Sequence, residues 1–352
     1  MCCAGGSDGV NVLDTYALDV VEGRIPAGTY HRLACVRHQR DRDHERTPEF
    51  PYYFDLETAV AFFEFAALLK HYKGQWAGQP IMLTPIQQFR LGSILGWRHV
   101  ETGLRRFRTA YNELPRKQGK TLEAALVAVY LTFFDGEPAA EGYCSGTKRD
   151  QAMIAFRDAK KLIEQSGLKS RITVKVANLH RADTASKLEP LSADYNTMDG
   201  LNPHVVIVDE LHAHPDRGVL DVLETAMGAR RQPLNFQITT AGNDPISPCG
   251  DQHNYACQIL DGTLVDETFF ACICSADPGD DWLSEDIWRY HARYPNKPHN
   301  KIYDKMQMAG VPLKQQRLCQ PFGDDQRRGL WLYHILEPQT WFKLVARVNG
   351  AN

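Results

Sequence analysis

The chain has 352 residues, of which 43 % are hydrophobic and 24 % charged, and its formal net charge is −3. That describes a globular protein large enough for one sizeable α/β domain or two smaller ones, with no global positive charge to draw it onto nucleic acid, so any DNA contact must be a local patch. No apolar run approaches the ~20 residues that cross a bilayer, and no basic-then-apolar leader opens the chain.

Nine cysteines are scattered along it, with Cys2 and Cys3 adjacent and Cys272 and Cys274 separated by a single residue. They match neither a disulfide ladder nor paired zinc spacing, and read as free thiols of a reducing compartment. Residues 1–10 are a glycine-rich start. Asn11 to Glu22 repeats apolar residues at helical spacing, Gly23 and Pro26-Ala27-Gly28 break it, and His31 to Arg46 is a mixture of acids and bases. Pro48 and Pro51 lead into a second helix, Leu56 to Tyr72, with Asp55 as N-cap, a stripe of Val60, Phe63, Ala67 and Leu68, and Gly74 as its stop. A third helix enters through Thr84-Pro85-Ile86-Gln87 and runs to Trp97. Gln87 has two readings: an amide that donates to and accepts from adenine, or a surface residue near a helix start. Arg105, Arg106 and Arg108, around the strand Phe107 to Asn112, are either a DNA-phosphate cluster or a solvated face.

The centre of the sequence is Glu113-Leu114-Pro115-Arg116-Lys117-Gln118-Gly119-Lys120-Thr121, followed by an apolar helix from Leu122 to Phe134. Gly119-Lys120-Thr121 has the form of a nucleotide-binding loop. Loop amides and a helix N-terminus hold phosphate oxygens, the lysine reaches the β/γ phosphates, and the threonine hydroxyl binds magnesium. Leu114 stands where such loops usually begin with glycine. A buried strand at Ala140 to Thr147, an amphipathic helix at Lys148 to Gln165 with Met153, Phe156 and Ile163 on one side, and strands at Arg171 to Val176 and Leu188 to Ala193 follow. The strand Val205 to Glu210 ends in two acids, Asp209 and Glu210. Because strands and a helix lie between Thr121 and Asp209, the order suits motor and helicase ATPases better than simple kinases.

His212 and His214, with His204, suggest a metal group only weakly, since magnesium prefers oxygen ligands and no cysteine joins them. After a helix from Gly218 to Ala229, the strand beginning at Asn235 ends in Thr239-Thr240-Ala241-Gly242-Asn243. In a parallel sheet polar strand ends gather at the carboxyl edge, which makes Thr239, Thr240 and Asn243 candidates for sensing the γ-phosphate. Thr268 to Cys274 is the last strand.

These motifs in this order resemble the large terminase subunits of tailed bacteriophages, the ATP-driven motors that pack DNA into procapsids. The likeness runs from about Leu13 to about Pro298. It includes Tyr16 to Gly23 with Cys35-Val36-Arg37-His38, Leu83-Thr84-Pro85-Ile86-Gln87 as the adenine-reading motif, the loop Arg116 to Thr121, the Val205 to Glu210 strand, and Thr239-Thr240-Ala241-Gly242 as the coupling motif. The resemblance implies an α/β fold, a mainly parallel sheet flanked by helices, of the P-loop NTPase type with an additional strand and a catalytic glutamate. It implies three segments: helices over 1–78 packed on the core, an ATPase domain over 79–298, and a tail over 299–352 in place of the family's nuclease domain, truncated or altered.

The implied cofactors are ATP and magnesium. Pro115, Lys117, Gln118, Gly119, Lys120 and Thr121 would cradle the phosphates, with Gln87 on the adenine. Thr121 and Asp209 would serve the metal, Glu210 would polarise the attacking water, and Arg116 would sense the γ-phosphate. Thr239, Thr240 and Asn243 would couple hydrolysis to DNA movement, and Arg230 and Arg231 are candidates for the arginine a ring neighbour supplies. The implied partners are double-stranded DNA, a portal protein, a small terminase subunit and further copies of this chain in a ring, with no membrane, in the bacterial host cytoplasm. A helicase-like ATPase, or a non-catalytic module that binds nucleotide and partners, are the alternatives.

Overall fold

A computed structural model describes residues 11–275 and 277, apart from residues 116, 117, 148, 192–199 and 243. Ten strands and eight α-helices are named in this span. The frame is an eight-stranded sheet built from β3 (Thr109–Glu113), β4 (Glu141–Ser145), β5 (Thr173–Val174), β6 (Leu179–Arg181), β7 (Ser186–Pro190), β8 (Pro203–Asp209), β9 (Leu234–Thr239) and β10 (Phe269–Ile273). In space the order is β10-β3-β9-β8-β4-β7-β6-β5. The first six are parallel, and β6 and β5 extend the edge antiparallel. The central strands are covered on both faces, and all seven residues of β8 are buried. The strand between the loop-bearing β3 and the acidic β8 is β9, which follows both in sequence.

Helix α5 (Lys120–Phe133) crosses from β3 to β4, α6 (Arg149–Glu164) follows β4, α7 (Gly218–Ala226) joins β8 to β9, and α8 (Pro248–Leu260) joins β9 to β10. Ahead of the sheet, α1 (Val12–Val21), α2 (Thr29–Asp43), α3 (Leu56–Leu68) and α4 (Pro85–Gly96) pack together, and a hairpin of β1 (Tyr52–Phe54) with β2 (Trp97–His99) closes them. One hydrophobic cluster runs from Leu13 and Phe62 through Phe89 and Leu126 to Ile207 and Ile238, so the N-terminal helices share their core with the sheet. Gly92 allows this close approach, since a Cβ there would lie 2.6 Å from the Leu13 side chain and 2.8 Å from that of Phe63.

Four sequence expectations need correction. The charged stretch after Gly28 is helix α2, whose buried stripe is His31, Ala34, Cys35, His38 and Asp41. Its 3.6-residue period is present but is written largely in polar residues. Helix α3 buries Ala59, Phe62, Phe65 and Ala66, one step round from the expected face, and Leu68 is 74 % exposed. Helix α8 had no counterpart in the sequence reading. Finally, Arg105 and Arg106 are neither a solvated face nor available to DNA: both are buried. The Arg106 guanidinium pairs with Asp41 at 2.8 Å and with Glu267, between the rings of Phe50 and Phe107. Arg105 pairs with Asp135 at 3.3 Å.

Candidate nucleotide site at the carboxyl edge of the sheet

Parallel strands bring their carboxyl ends to one edge, where ligands of such sheets bind. Here the ends are stitched together by backbone bonds: Cys274 N to Glu113 O, Leu114 N to Thr239 O and Glu210 N to Ile238 O, each 2.9 Å. The loop after β3 therefore lies against the end of β9, beside the acidic end of β8. Gly119 caps α5 with a left-handed φ of 82°, a conformation that costs an L side chain ~1 kcal/mol or more. That turn aims the first amides of α5 into the loop. Lys120 is buried, and its Nζ donates to the carbonyls of Pro115 at 3.2 Å and Leu114 at 3.5 Å.

Asp209 faces this lysine. Burial, and then the charge of Glu210, push its pKa up to about 7, against the pull of Lys120 and a hydrogen bond from Thr121. Its Oδ1 is buried and has no hydrogen-bond partner among the described residues. A buried acceptor of this kind, next to a threonine hydroxyl and a lysine, fits a hydrated magnesium ion, which takes oxygen ligands through one or two carboxylates and water. Glu210 itself has φ 56°. A left-handed glutamate costs ~1–3 kcal/mol and holds its carboxylate off the strand axis. Glu210 Oε2 lies 3.2 Å from His212 Nδ1.

His212 is the residue that sequence reasoning weighed only as a metal ligand. Its backbone N–H donates to Thr239 Oγ1 at 3.1 Å, and its ring Nδ1 is 3.0 Å from the same oxygen and 3.3 Å from Thr240 Oγ1. It thus joins the candidate coupling residues to the glutamate. The three histidines do not form a group. His204 pairs with Asp135 at 2.8 Å near the amino ends of the strands, and burial drives the pKa of His214 down to about 4.

Gln87 sits at the loop, its Nε2 3.6 Å from where a Cβ on Gly119 would be. Both sides of its amide are engaged. Oε1 accepts from Thr84 N at 3.0 Å and Thr84 Oγ1 at 2.8 Å, while Nε2 donates to Glu123 Oε1 at 2.7 Å. Glu123 in turn takes 2.7 Å from Arg90, which also reaches Asn112 of β3 at 3.2 Å. The apolar run after Thr121 concealed Glu123, and nothing local marks it.

Arg230 lies at the opposite, amino-terminal edge. Its guanidinium is spent on the carbonyls of Asn202, Pro138 and Ala139 and on Glu137, so its own chain uses it as a clamp under β4 and β8. Arg231 is exposed at the same edge. Gln118 and Pro115 are in the loop as expected, whereas Arg116, Lys117 and Asn243 fall outside the described residues.

Residues 85–258 match the family model of the terminase large subunit, ATPase domain, and residues 310–352 match a domain of unknown function, DUF3440. The HK97 bacteriophage large terminase has a similar structure, with a TM-score of 0.59 and 19 % identity over 75 % of this chain and 53 % of that one. At that identity the likeness establishes the fold. Two Escherichia coli (strain K12) proteins are more similar over short stretches. The uncharacterized protein YbdN is 49 % identical over 70 residues, 20 % of this chain and 17 % of that protein. Protein YmfN is 39 % identical over 89 residues, 25 % of this chain and 20 % of that protein. The chain therefore spans about half of the terminase it resembles and a fifth or less of these two relatives. No helix among the described residues is long and apolar enough to cross a membrane. With the loop, the acidic strand and the strand between them in the order the geometry requires, the chain carries a terminase large subunit ATPase domain with the P-loop NTPase fold.

Proposed function

We propose that the chain is the ATP-hydrolysing part of a motor that drives double-stranded DNA into a viral procapsid. The observation that carries this reading is the convergence of Lys120, Thr121, Asp209 and Glu210 at one sheet edge, with Asp209 Oδ1 buried and unpartnered among the described residues. Lys120 swings from the Leu114 and Pro115 carbonyls to the β/γ phosphates, and the amides of Gly119 to Thr121 hold the remaining oxygens. Thr121 and Asp209 would hold magnesium, which would supply charge neutralisation for the transferred phosphoryl group. Glu210 orients and polarises the attacking water from its left-handed perch. His212 passes a change at Glu210 to Thr239 and Thr240, and Thr239 O passes it to Leu114 of the loop, a short path by which loss of the γ-phosphate can move β9. Arg116 is the proposed γ-phosphate sensor. Gln87 reads adenine by giving up bonds to Thr84 or Glu123.

A ring of copies completes each site with a neighbour's arginine, docked on a portal with a small terminase subunit, in the host cytoplasm. Arg230 is not proposed for that arginine, because its own chain holds it; Arg231 remains the candidate. A trans arginine is worth ~10³–10⁵ in rate in related enzymes. Specific activity should therefore rise steeply with protein concentration, in parallel with ring mass in light scattering. Activity per subunit that stays constant across the assembly transition contradicts the ring.

A further inference from the structure

A second cluster of chemically capable side chains lies outside the nucleotide site. Cys272 of β10 and Cys274 just beyond it are two residues apart on a strand, so the pleat turns both sulfurs to one face. Helix α2 packs on β10 and delivers His31 to that face. His31 Nδ1 is 3.3 Å from Cys272 Sγ and 3.6 Å from Cys274 Sγ, and the two sulfurs are 3.9 Å apart. In a tetrahedral zinc site, bonds of ~2.3 Å to sulfur and ~2.0–2.1 Å to nitrogen put ligand pairs ~3.6–3.8 Å apart. The three atoms thus form one face of such a tetrahedron before any ion is placed. Among the described residues this is the one group of three or more such donors close enough to share an ion.

The surroundings match as well. The other ring nitrogen of His31, Nε2, is 3.0 Å from the Tyr16 hydroxyl, the outer contact that fixes the orientation of a ligating imidazole. Cys274 is half-buried, so a water molecule can supply the fourth ligand. A disulfide fits less well, because adjacent same-face positions on an extended strand are ~6.6 Å apart, near the upper limit for bridging Cα atoms. The spacing of the two cysteines concealed the site because the third donor lies 241 residues away in sequence.

We propose that His31, Cys272 and Cys274 bind one zinc ion. The ion clasps α2 to β10, the outermost strand beside the one that feeds the phosphate loop. Cys272 is in register with Asn112, and Cys274 N is bonded to Glu113 O, so the clasp also fixes the strand leading into that loop.

The test uses the full-length, untagged chain, purified reduced and dialysed against micromolar zinc and then against metal-free buffer. Elemental analysis should find one zinc per chain, lost from the C272S/C274S double variant, which also excludes a site built from the remaining cysteines. Zinc X-ray absorption on the wild type should show two sulfurs and at least one nitrogen or oxygen ligand, and needs no variant to fold. A strong chelator should lower the wild-type melting temperature. Wild-type protein that retains no zinc, a double variant that retains as much, or a shell with no sulfur would overturn the proposal.

Discussion

Asp209 gives the sharpest prediction, because the group needed for metal binding should weaken the nucleotide-free fold. Its pKa stands at about 7 against an ordinary 3.8. A carboxyl whose folded pKa is raised contributes its stability below the unfolded value and loses it as pH climbs to the folded one. Stability should therefore fall between about pH 4 and 7 and level off above. The gap amounts to ~4 kcal/mol at pH 8 and ~2 kcal/mol at pH 5. Asp209→Asn removes the charge but also weakens the bond from Thr121 and strips Lys120 of a partner, so a net gain of ~1–3 kcal/mol at pH 8 is expected. For a domain of this size that is roughly 2–10 °C in melting temperature. The assay is thermal unfolding of the full chain in EDTA without nucleotide, followed by circular dichroism at pH 5 and pH 8. The variant should melt higher, with the larger gain at pH 8. Magnesium and ATP together should then raise the wild type and leave the variant nearly unmoved. A variant less stable than the wild type at pH 8, or a gain equal at both pH values, would refute the assignment of Asp209 as a buried charge waiting for a cation.

Two further substitutions separate structural from functional roles. Arg106→Met takes one guanidinium from Asp41, which keeps the bond from Arg40 at 2.6 Å, and should cost ~1–3 kcal/mol in urea unfolding, while the DNA affinity of the folded fraction stays unchanged; weaker DNA binding by folded protein would return Arg106 to the DNA path. Gln87→Ala should lose ~1 kcal/mol of helix capping. If Gln87 reads adenine, the same variant should lose about tenfold in its preference for ATP over GTP, as expected for one or two hydrogen bonds. An unchanged preference leaves Gln87 as a cap alone.

The parts of the site that could be read from sequence are those in which chemistry and chain order coincide. Gly119-Lys120-Thr121 must open a helix to work, and Val205 to Val208 is an unbroken apolar run because both faces of that strand are covered. Elements stabilised by distant partners were harder to read. Helix α2 hides behind His31, His38 and Asp41, whose burial makes sense only once Tyr16, Asp14 and Arg106 are seen to pair with them. The face of α3 was misplaced because Phe62, Phe63 and Phe65 offer two overlapping stripes, and the packing on α4 and α5 decides between them. His212 could not be assigned from its neighbours, since its partners Thr239 and Thr240 lie at the far end of β9. Arg106 looked like surface charge for the same reason: Glu267 lies 161 residues away.

The central claim is that this sheet edge hydrolyses ATP through Glu210. The direct measurement is phosphate release by the full chain and by Glu210→Gln at equal, ring-forming concentration with magnesium, alongside nucleotide binding by both. The substitution keeps shape and removes charge and basicity, so the variant should bind ATP with wild-type affinity and release phosphate at least ~10²-fold more slowly. Release at the wild-type rate by the variant would contradict the assignment.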